Sequence, residues 1–366
     1  MNIAVDVRST LKKTKTGIGV YASNIINAFS AVDKEDTFLL YSKVKPFDRK
    51  RKLPDLPAKN FCHRVNYFNF PLRSVLGRNV DVLYTLSYDL KPSKGMKFVL
   101  VVCDIIPKVW PYGHTDDVLR NFDTTMKIIQ YADAIITISH STHNDLIAHY
   151  DVPKEKVFMI YPGVDTYFRK IDIGMDEKLS FLSKFNIKEN FILNVGTIEP
   201  RKNLKNLLIA FKEVAHKINH QLVVVGMKGW MYQEVLSQVE TLELSDRVIM
   251  PGYISNEELL MFFNLSDIFI YPSFYEGFGF PVAEAFRCKV PVITSRTSAL
   301  KEIAEGVSLL VDPREPASIS EALENLCNNK GLQDELAQKA YARSLEFDWL
   351  TCAAQTLAVF RKVMEH

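Results

Sequence analysis

Residues 191–204, Phe191-Ile192-Leu193-Asn194-Val195-Gly196-Thr197-Ile198-Glu199-Pro200-Arg201-Lys202-Asn203-Leu204, decide the fold. An apolar, partly β-branched run ends at a glycine, and a polar loop follows. Beyond it Leu204, Leu207, Leu208, Phe211, Val214 and Ala215 recur at i, i+3, i+4, i+7 spacing. The first part reads as a buried strand and the last as a helix with one apolar face. A strand that feeds such a helix is one step of a parallel sheet wrapped by helices.

The same step recurs on both sides. Upstream, the runs Ile3–Val5, Phe38–Tyr41, Val80–Tyr84, Phe98–Val102 and Ala134–Ile138 are continuous in Val, Ile and Leu, as strands buried on both faces are. Downstream lie Gln221–Val225, Val248–Met250, Ile268–Tyr271, Val290–Thr294 and Ser308–Val311, with helical stretches at Glu257–Leu265 and Ile319–Leu326. Two such series predict an α/β chain of two Rossmann-like domains. The join falls between Gly163 and Asn190, where periodicity lapses and charge rises, and residues 347–366 form a separate helical pattern. Ligands of such sheets bind beyond the carboxyl ends of the strands, so the expected site is a cleft between the two domains.

Composition narrows the class. With 366 residues, 47% of them hydrophobic, the chain is long enough for two or three domains with separate cores. Charged residues at 24% exclude wholesale disorder, and a net charge of +2 does not point to nucleic acid as a partner. One stretch departs from this balance. Residues 43–64 carry eight basic side chains, Lys43, Lys45, Arg49, Lys50, Arg51, Lys52, Lys59 and Arg64, against Asp48 and Asp55. That run is either a solvated loop or a surface attracted to anionic membrane, each cation then adding about 1 kcal/mol.

No apolar run approaches the roughly 18 residues of a membrane span. The opening residues Met1–Asp6 read as a strand and not as a signal peptide. Five scattered cysteines without C-x-x-C spacing give neither a disulfide framework nor a zinc site. The expected location is the cytoplasm, with peripheral contact at the inner membrane face as an option.

Three motifs carry chemistry. Gly17-Ile18-Gly19-Val20-Tyr21-Ala22 is formally G-x-G-x-x-A. It lies about ten residues after the first strand, and no acid follows at the distance a dinucleotide ribose needs, so a nicotinamide or flavin enzyme is disfavoured. Two readings remain. One is a glycine-containing loop that enters a helix with its amides turned to an anion or a sugar; the other is a helix start that merely tolerates two glycines.

In the second motif, Gly196 to Leu204, Arg201 and Lys202 stand at a helix N-terminus, where cations conflict with the macrodipole. A diphosphate removes the conflict through charge-assisted bonds; a solvated basic turn is the plain alternative. The third motif is the most specific. Ile268–Tyr271 runs into Pro272-Ser273-Phe274-Tyr275-Glu276-Gly277-Phe278-Gly279-Phe280-Pro281-Val282-Ala283-Glu284. Pro281 suits a first helical turn, and the amides around Gly277, Phe278 and Gly279 point to the ligand side. Glu276 and Glu284 frame the glycines, and a carboxylate accepts two hydroxyls at once, as sugar and ribose diols require.

These residues resemble the retaining glycosyltransferases of the GT-B type, in the large bacterial family four. The resemblance runs from Asp6-Val7-Arg8 and Thr16-Gly17-Ile18-Gly19 through Cys103-Asp104-Ile105-Ile106-Pro107, Tyr161–Asp165, Glu199–Leu204, Gly229-Trp230, Gly252-Tyr253-Ile254 and Tyr271–Phe286 to Phe347-Asp348-Trp349. It implies an N-terminal acceptor-binding domain over 1–168 and a C-terminal nucleotide-sugar-binding domain over 169–346. The terminal helix, 347–366, would cross back to the first. In the family, the residues matching Arg201 and Lys202 hold the diphosphate, that matching Glu284 the ribose, and that matching Glu276 the transferred sugar. The amides near Phe278 and Gly279 match the phosphate loop, and Gly252, Tyr253 and Ile254 lie where the base is held. No cofactor or metal is implied, and this sequence has no D-x-D pair.

One position departs from the pattern. Where the family commonly has His before Asp, this chain has Cys103-Asp104. Either Asp104 and the backbone take over that role, or the donor differs, or activity is weak; Cys103 also reads as a small buried hydrophobe. The resemblance therefore implies transfer of a hexose from a nucleotide-diphosphate sugar, GDP-mannose ahead of UDP-glucose, to a glycan or lipid-linked glycan. The alternatives are a scaffold that binds the sugar nucleotide without transfer, or one that isomerises or hydrolyses it.

Overall fold

The computed structural model describes residues 1–11, 17–46, 53–188, 190–229 and 232–365. Thr16, Trp230 and the Arg49–Lys52 part of the basic run lie outside the described residues. Strands β1 (Asn2–Asp6), β2 (Thr37–Lys43), β3 (Phe61–Asn66), β4 (Val82–Thr85), β5 (Lys97–Val102), β6 (Ala134–Thr137) and β7 (Val157–Met159) form one sheet. Its order is β3-β2-β1-β4-β5-β6-β7, and every pair is parallel. Strands β8 (Phe191–Val195), β9 (Gln221–Val225), β10 (Val248–Gly252), β11 (Ile268–Tyr271), β12 (Val292–Ser295) and β13 (Leu309–Val311) form a second parallel sheet, ordered β10-β9-β8-β11-β12-β13. The two-sheet Rossmann-like expectation therefore holds.

The buried runs read from the sequence are the inner strands. Val, Ile and Leu on both faces leave water entirely, and helices cover them; Leu207, Leu208 and Phe211 of the helix Leu204–Val214 pack with Ile192, Leu222 and Ile293. Two strands escaped the reading, both at sheet edges. β3 is Phe61-Cys62-His63-Arg64-Val65-Asn66, half-exposed in its centre, and its polar residues look like loop. β7 has three residues. The basic run is thus not loop throughout, because its last residues pair in register with β2.

The chain divides into two compact units, Met1–Gly163 with Asp348–His366, and Val164–Phe347. Residues 164–168, counted above with the first domain, pack with the second. The Val164 N–H donates to the Phe347 carbonyl at 3.0 Å, and the Phe168 ring stands edge-on to Phe263 at 5.7 Å. The expected join also holds a helix, Met175–Lys184, whose Phe181 and Leu182 are buried. Within the first unit the terminal helix Trp349–Met364 sets Trp349 against Tyr21 at 5.2 Å and Phe360 against Tyr84 at 5.3 Å.

Each sheet reverses its strand order once, between β1 and β4 and between β8 and β11. At such a point the loops leaving adjacent strands run to opposite sides and open a crevice at the carboxyl end. Most candidate residues follow strands at these two points; Gly252, Tyr253 and Ile254 follow the edge strand β10.

Candidate active site

In the second unit, β8 leads into the loop Gly196–Asn203 and β11 into the loop Pro272–Gly279. The two loops are tied together. Phe274 N–H donates to the Arg201 carbonyl at 2.9 Å, and Asn203 Nδ2 to the Pro272 carbonyl at 3.0 Å. Asn203 is left-handed, with φ 61°, a conformation Asn accepts more readily than most residues, and it turns the chain into the helix Leu204–Val214.

This latch brings Arg201, Lys202 and Glu276 together. Arg201 Nη1 lies 2.6 Å from Glu276 Oε2, and Lys202 Nζ lies 2.6 Å from Glu276 Oε1. Ser273 Oγ donates to Oε1 at 2.6 Å and the Tyr271 hydroxyl at 3.1 Å. Arg201 also reaches Glu199 at 2.6 Å and donates to the Tyr275 carbonyl at 2.8 Å. Burial pushes the Glu276 carboxyl up, but Arg201 and Lys202 outweigh it and hold it at about 2. Burial lowers the Lys202 ammonium, with Glu276 opposing and Arg201 adding to the effect. Burial likewise opposes the Arg201 charge, and Glu276 and Glu199 carry it above its ordinary value. The cluster is a charged network in which both cations are paired internally.

Gly279 is left-handed at φ 103°, and a Cβ there would stand 2.6 Å from Leu300 Cδ2. It starts the helix Phe280–Arg287, with Pro281 in the first turn. The Phe278 side chain turns inward, against Phe280 at 5.2 Å and Phe347 at 5.2 Å, so its contribution to a ligand is limited to backbone. Glu284, on the same helix, has no hydrogen-bond donor on its carboxylate among the described residues. Burial, with the Asp165 charge second, pushes it up to about 8.

Gly196 lies against Lys202, its absent Cβ 3.7 Å from Lys202 Cε. Gly252 ends β10 and accepts from Gly226 N–H at 3.0 Å; Tyr253 beyond it is exposed and Ile254 half-buried. Gly226 went unnoticed in the sequence: a Cβ on it would fall 1.9 Å from the Gly196 carbonyl oxygen. Tyr271, Ser273 and Glu199 were in view but unassigned. Their signal was adjacency to the two loops, and their roles depend on a meeting no spacing rule gives.

The first unit builds a second network at its own reversal point. Asp6, at the end of β1, is buried, receives Arg8 Nε at 2.9 Å and Nη2 at 2.8 Å, and accepts from Thr85 Oγ1 at 2.8 Å. The other edge of the Arg8 guanidinium grips Asp89 at 3.1 and 2.8 Å, leaving that carboxylate largely exposed. Cys103 follows β5; it is buried, and burial with the Asp104 charge raises its thiol far above the ordinary range, so it carries no thiolate. Asp104 Oδ1 accepts the Ile106 N–H at 3.1 Å, fixing the turn beyond. Gly17 and Gly19 lie in the helix Gly17–Val32, which begins at Gly17 and buries Gly19, as the helix-start reading expects; residues 12–16 before it lie outside the described residues. Among the described residues no cluster of His, Cys, Asp and Glu has metal-ligating geometry.

Comparison with known proteins agrees with this architecture. The model of the family Glycosyltransferase Family 4 matches residues 16–168, and that of Glycosyl transferases group 1 matches residues 175–343. The chain belongs to these GT-B glycosyltransferases, and resembles their mannosyltransferase members. It is 26% identical over 274 residues to the O-antigen chain mannosyltransferase B of Escherichia coli, covering 74% of this chain and 71% of that one. It is 27% identical over 276 residues to the serotype-specific mannosyltransferase WbdA of Escherichia coli, covering 74% of this chain but spanning only 34% of WbdA. Among solved structures, a sucrose-phosphate synthase from Thermosynechococcus elongatus superposes with a TM-score of 0.81 at 18% identity, covering 100% of this chain and 99% of that one. Anabaena HepE, solved with UDP-glucose, gives 0.73 at 18%, covering 99% and 100%.

Proposed function

We propose that this glycosyltransferase moves a hexose from a nucleoside diphosphate sugar to a glycan or lipid-linked glycan, with retention of configuration and without a metal. The observation that carries the reading is the meeting of Arg201, Lys202 and Glu276 at the β8/β11 reversal point. Breaking the bond from the anomeric carbon to the diphosphate oxygen leaves positive charge on the sugar and negative charge on the diphosphate. Arg201, Lys202 and the amides near Gly279 would take the negative charge, and fixed donors of this kind supply about 3–4 kcal/mol each of barrier lowering. Glu276 lies beside the sugar. The acceptor hydroxyl attacks from the face the diphosphate leaves and passes its proton to the departing phosphate oxygen. Glu284 receives the ribose hydroxyls, and Gly252, Tyr253 and Ile254 flank the base.

The mannosyltransferase relatives favour GDP-mannose, and the UDP-glucose held by HepE keeps that donor in the panel. Assays with both donors test the reading. Acceptor-dependent product with the donor's anomeric configuration, read by NMR, supports it. Nucleotide release that ignores acceptor indicates hydrolysis, and saturable donor binding without turnover indicates a binding scaffold.

On the acceptor side, the exposed Asp89 held by Arg8 offers a carboxylate to sugar hydroxyls. Peripheral contact with anionic membrane through residues 43–64 completes the proposal. Lys43, Lys45 and Lys59 are exposed. Beside Lys43, which pairs in register with Asn66, the loop after β3 carries Tyr67, Phe68 and Phe70 at 47%, 66% and 56% exposure. Asn66 locks that loop, accepting the Phe70 N–H at 3.0 Å and donating to its carbonyl at 2.8 Å. Exposed rings beside cations suit a lipid headgroup layer. Binding that rises with anionic lipid and falls with salt supports the contact; equal binding to neutral vesicles refutes it.

A further inference from the structure

The segment Thr294–Ser298 does not touch the Glu276 carboxylate, yet it holds the loop that carries it. Thr294 Oγ1 donates to the Tyr271 carbonyl at 2.8 Å, Ser295 Oγ to the Ser273 carbonyl at 2.6 Å, and Thr297 Oγ1 to the Phe274 carbonyl at 3.0 Å. Ser298 completes the series in the opposite sense, its Oγ accepting the Glu276 N–H at 3.0 Å. Four hydroxyls within five residues thus bind Tyr271, Ser273, Phe274 and Glu276 in sequence. The odd member, Arg296, turns out to solvent and pairs with Asp312 at 2.6 Å.

Ser298 is the informative member. Its φ is 53°, in the left-handed region that L side chains rarely adopt. A glycine would sit there without strain but would leave the Glu276 amide without this acceptor. We propose that Ser298 is a positioning residue for sugar transfer: its hydroxyl fixes the backbone of Glu276 so that one carboxylate reaches Arg201 and Lys202 together. Thr294, Ser295 and Thr297 hold the rest of the loop in register. A loop released at Glu276 would let the carboxylate drift, and a shift of about 1 Å at a reacting centre costs on the order of 100-fold in rate.

This inference rests on the role given above to Glu276, and its test separates the two. Ser298→Gly and Ser298→Asn both suit a left-handed φ, but only Asn retains a side-chain acceptor. The full chain with each substitution is measured for melting temperature, for donor KM and kcat, and for hydrogen exchange in the peptide containing Glu276. Ser298→Gly should keep the wild-type melting temperature, exchange faster at Glu276 and lose about 10- to 100-fold in kcat, with donor KM changed less than kcat. Ser298→Asn should recover part of both losses. Unchanged exchange and kcat in Ser298→Gly overturn the proposal, as does equal kcat loss in the two variants. If Ser298→Gly does not fold, Ser298→Ala replaces it and is judged on exchange and kcat alone, because alanine is strained at this φ and lowers the melting temperature by itself. If the wild-type chain transfers no sugar, the sugar-transfer reading fails by itself, and exchange at Glu276 still decides whether Ser298 holds the loop.

Discussion

Lys202 and Glu276 stand 74 residues apart in the chain and 2.6 Å apart in the fold, Nζ to Oε1, with Arg201 on the other carboxylate oxygen. One buried carboxylate therefore satisfies two cations in the absence of ligand. On the function proposed above, a diphosphate entering here would draw Arg201 and Lys202 partly away from Glu276 and free the carboxylate to face the sugar.

Glu276→Gln separates binding from transfer. Without the competing carboxylate, free nucleoside diphosphate should bind more tightly by calorimetry, while transfer falls by about 100- to 1,000-fold, the scale of one removed electrostatic contact. Stability should drop by about 3–5 kcal/mol, because the largely buried Lys202 loses its carboxylate and Arg201 keeps only Glu199. Weaker nucleoside diphosphate binding in this variant would contradict the competition.

The Glu284 carboxyl gives a pH signature. Its folded pKa of about 8 lies above the ordinary value of 4.5, so between these limits the folded chain holds a proton that the unfolded chain has released. Its contribution to stability is therefore full below pH 4.5 and is lost as pH rises through about 8. Glu276 acts with the opposite sign: its stabilisation is present above 4.5 and lost as pH falls toward about 2. In Glu284→Gln the melting temperature should gain on the wild type as pH goes from 5 to about 8. A constant difference across that range would remove the assigned shift.

Asp89→Asn tests the acceptor side. The carboxylate is largely exposed and its Arg8 partner also holds Asp6, so the fold should survive with an unfolding free energy within about 0.5 kcal/mol of wild type. Acceptor KM should rise roughly tenfold, the loss of one charge-assisted hydrogen bond, with donor KM unchanged. An equal rise in both constants would move Asp89 out of the acceptor site.

Gly226→Ala probes the packing behind the site. The added methyl falls on the Gly196 carbonyl, backbone that cannot swing aside, so β8 and β9 must part at their carboxyl ends. A loss of about 1–3 kcal/mol in stability is expected, with weaker nucleotide binding in thermal-shift titration. Wild-type behaviour would show that the two strands separate freely there.

Much of this was legible in the chain. The inner strands announced themselves because a strand buried on both faces has no room for polar residues, and Pro281 and the glycines marked the helix mouth. The sheet edges β3 and β7 were silent, since half-exposed strands carry His63 and Arg64 as loops do. Glu276 was singled out for its place between apolar segments, but its pairing with Arg201 and Lys202 could not be read, because contacts across 74 residues leave no periodicity. Thr294 read only as the end of a strand, and Ser295, Thr297 and Ser298 beyond it carried no signal, because the groups they meet belong to another loop.

What the sequence determined by itself is the strand–helix alternation, the two-sheet class and the residue types offered at each loop, because these follow from local pattern and burial. Only the tertiary structure decided which loops meet. Parallel strands β8 and β11 lie side by side although 72 residues lie between Val195 and Ile268, and that adjacency, set by the order in which the sheet is assembled, turns separate cations, acids and hydroxyls into one network.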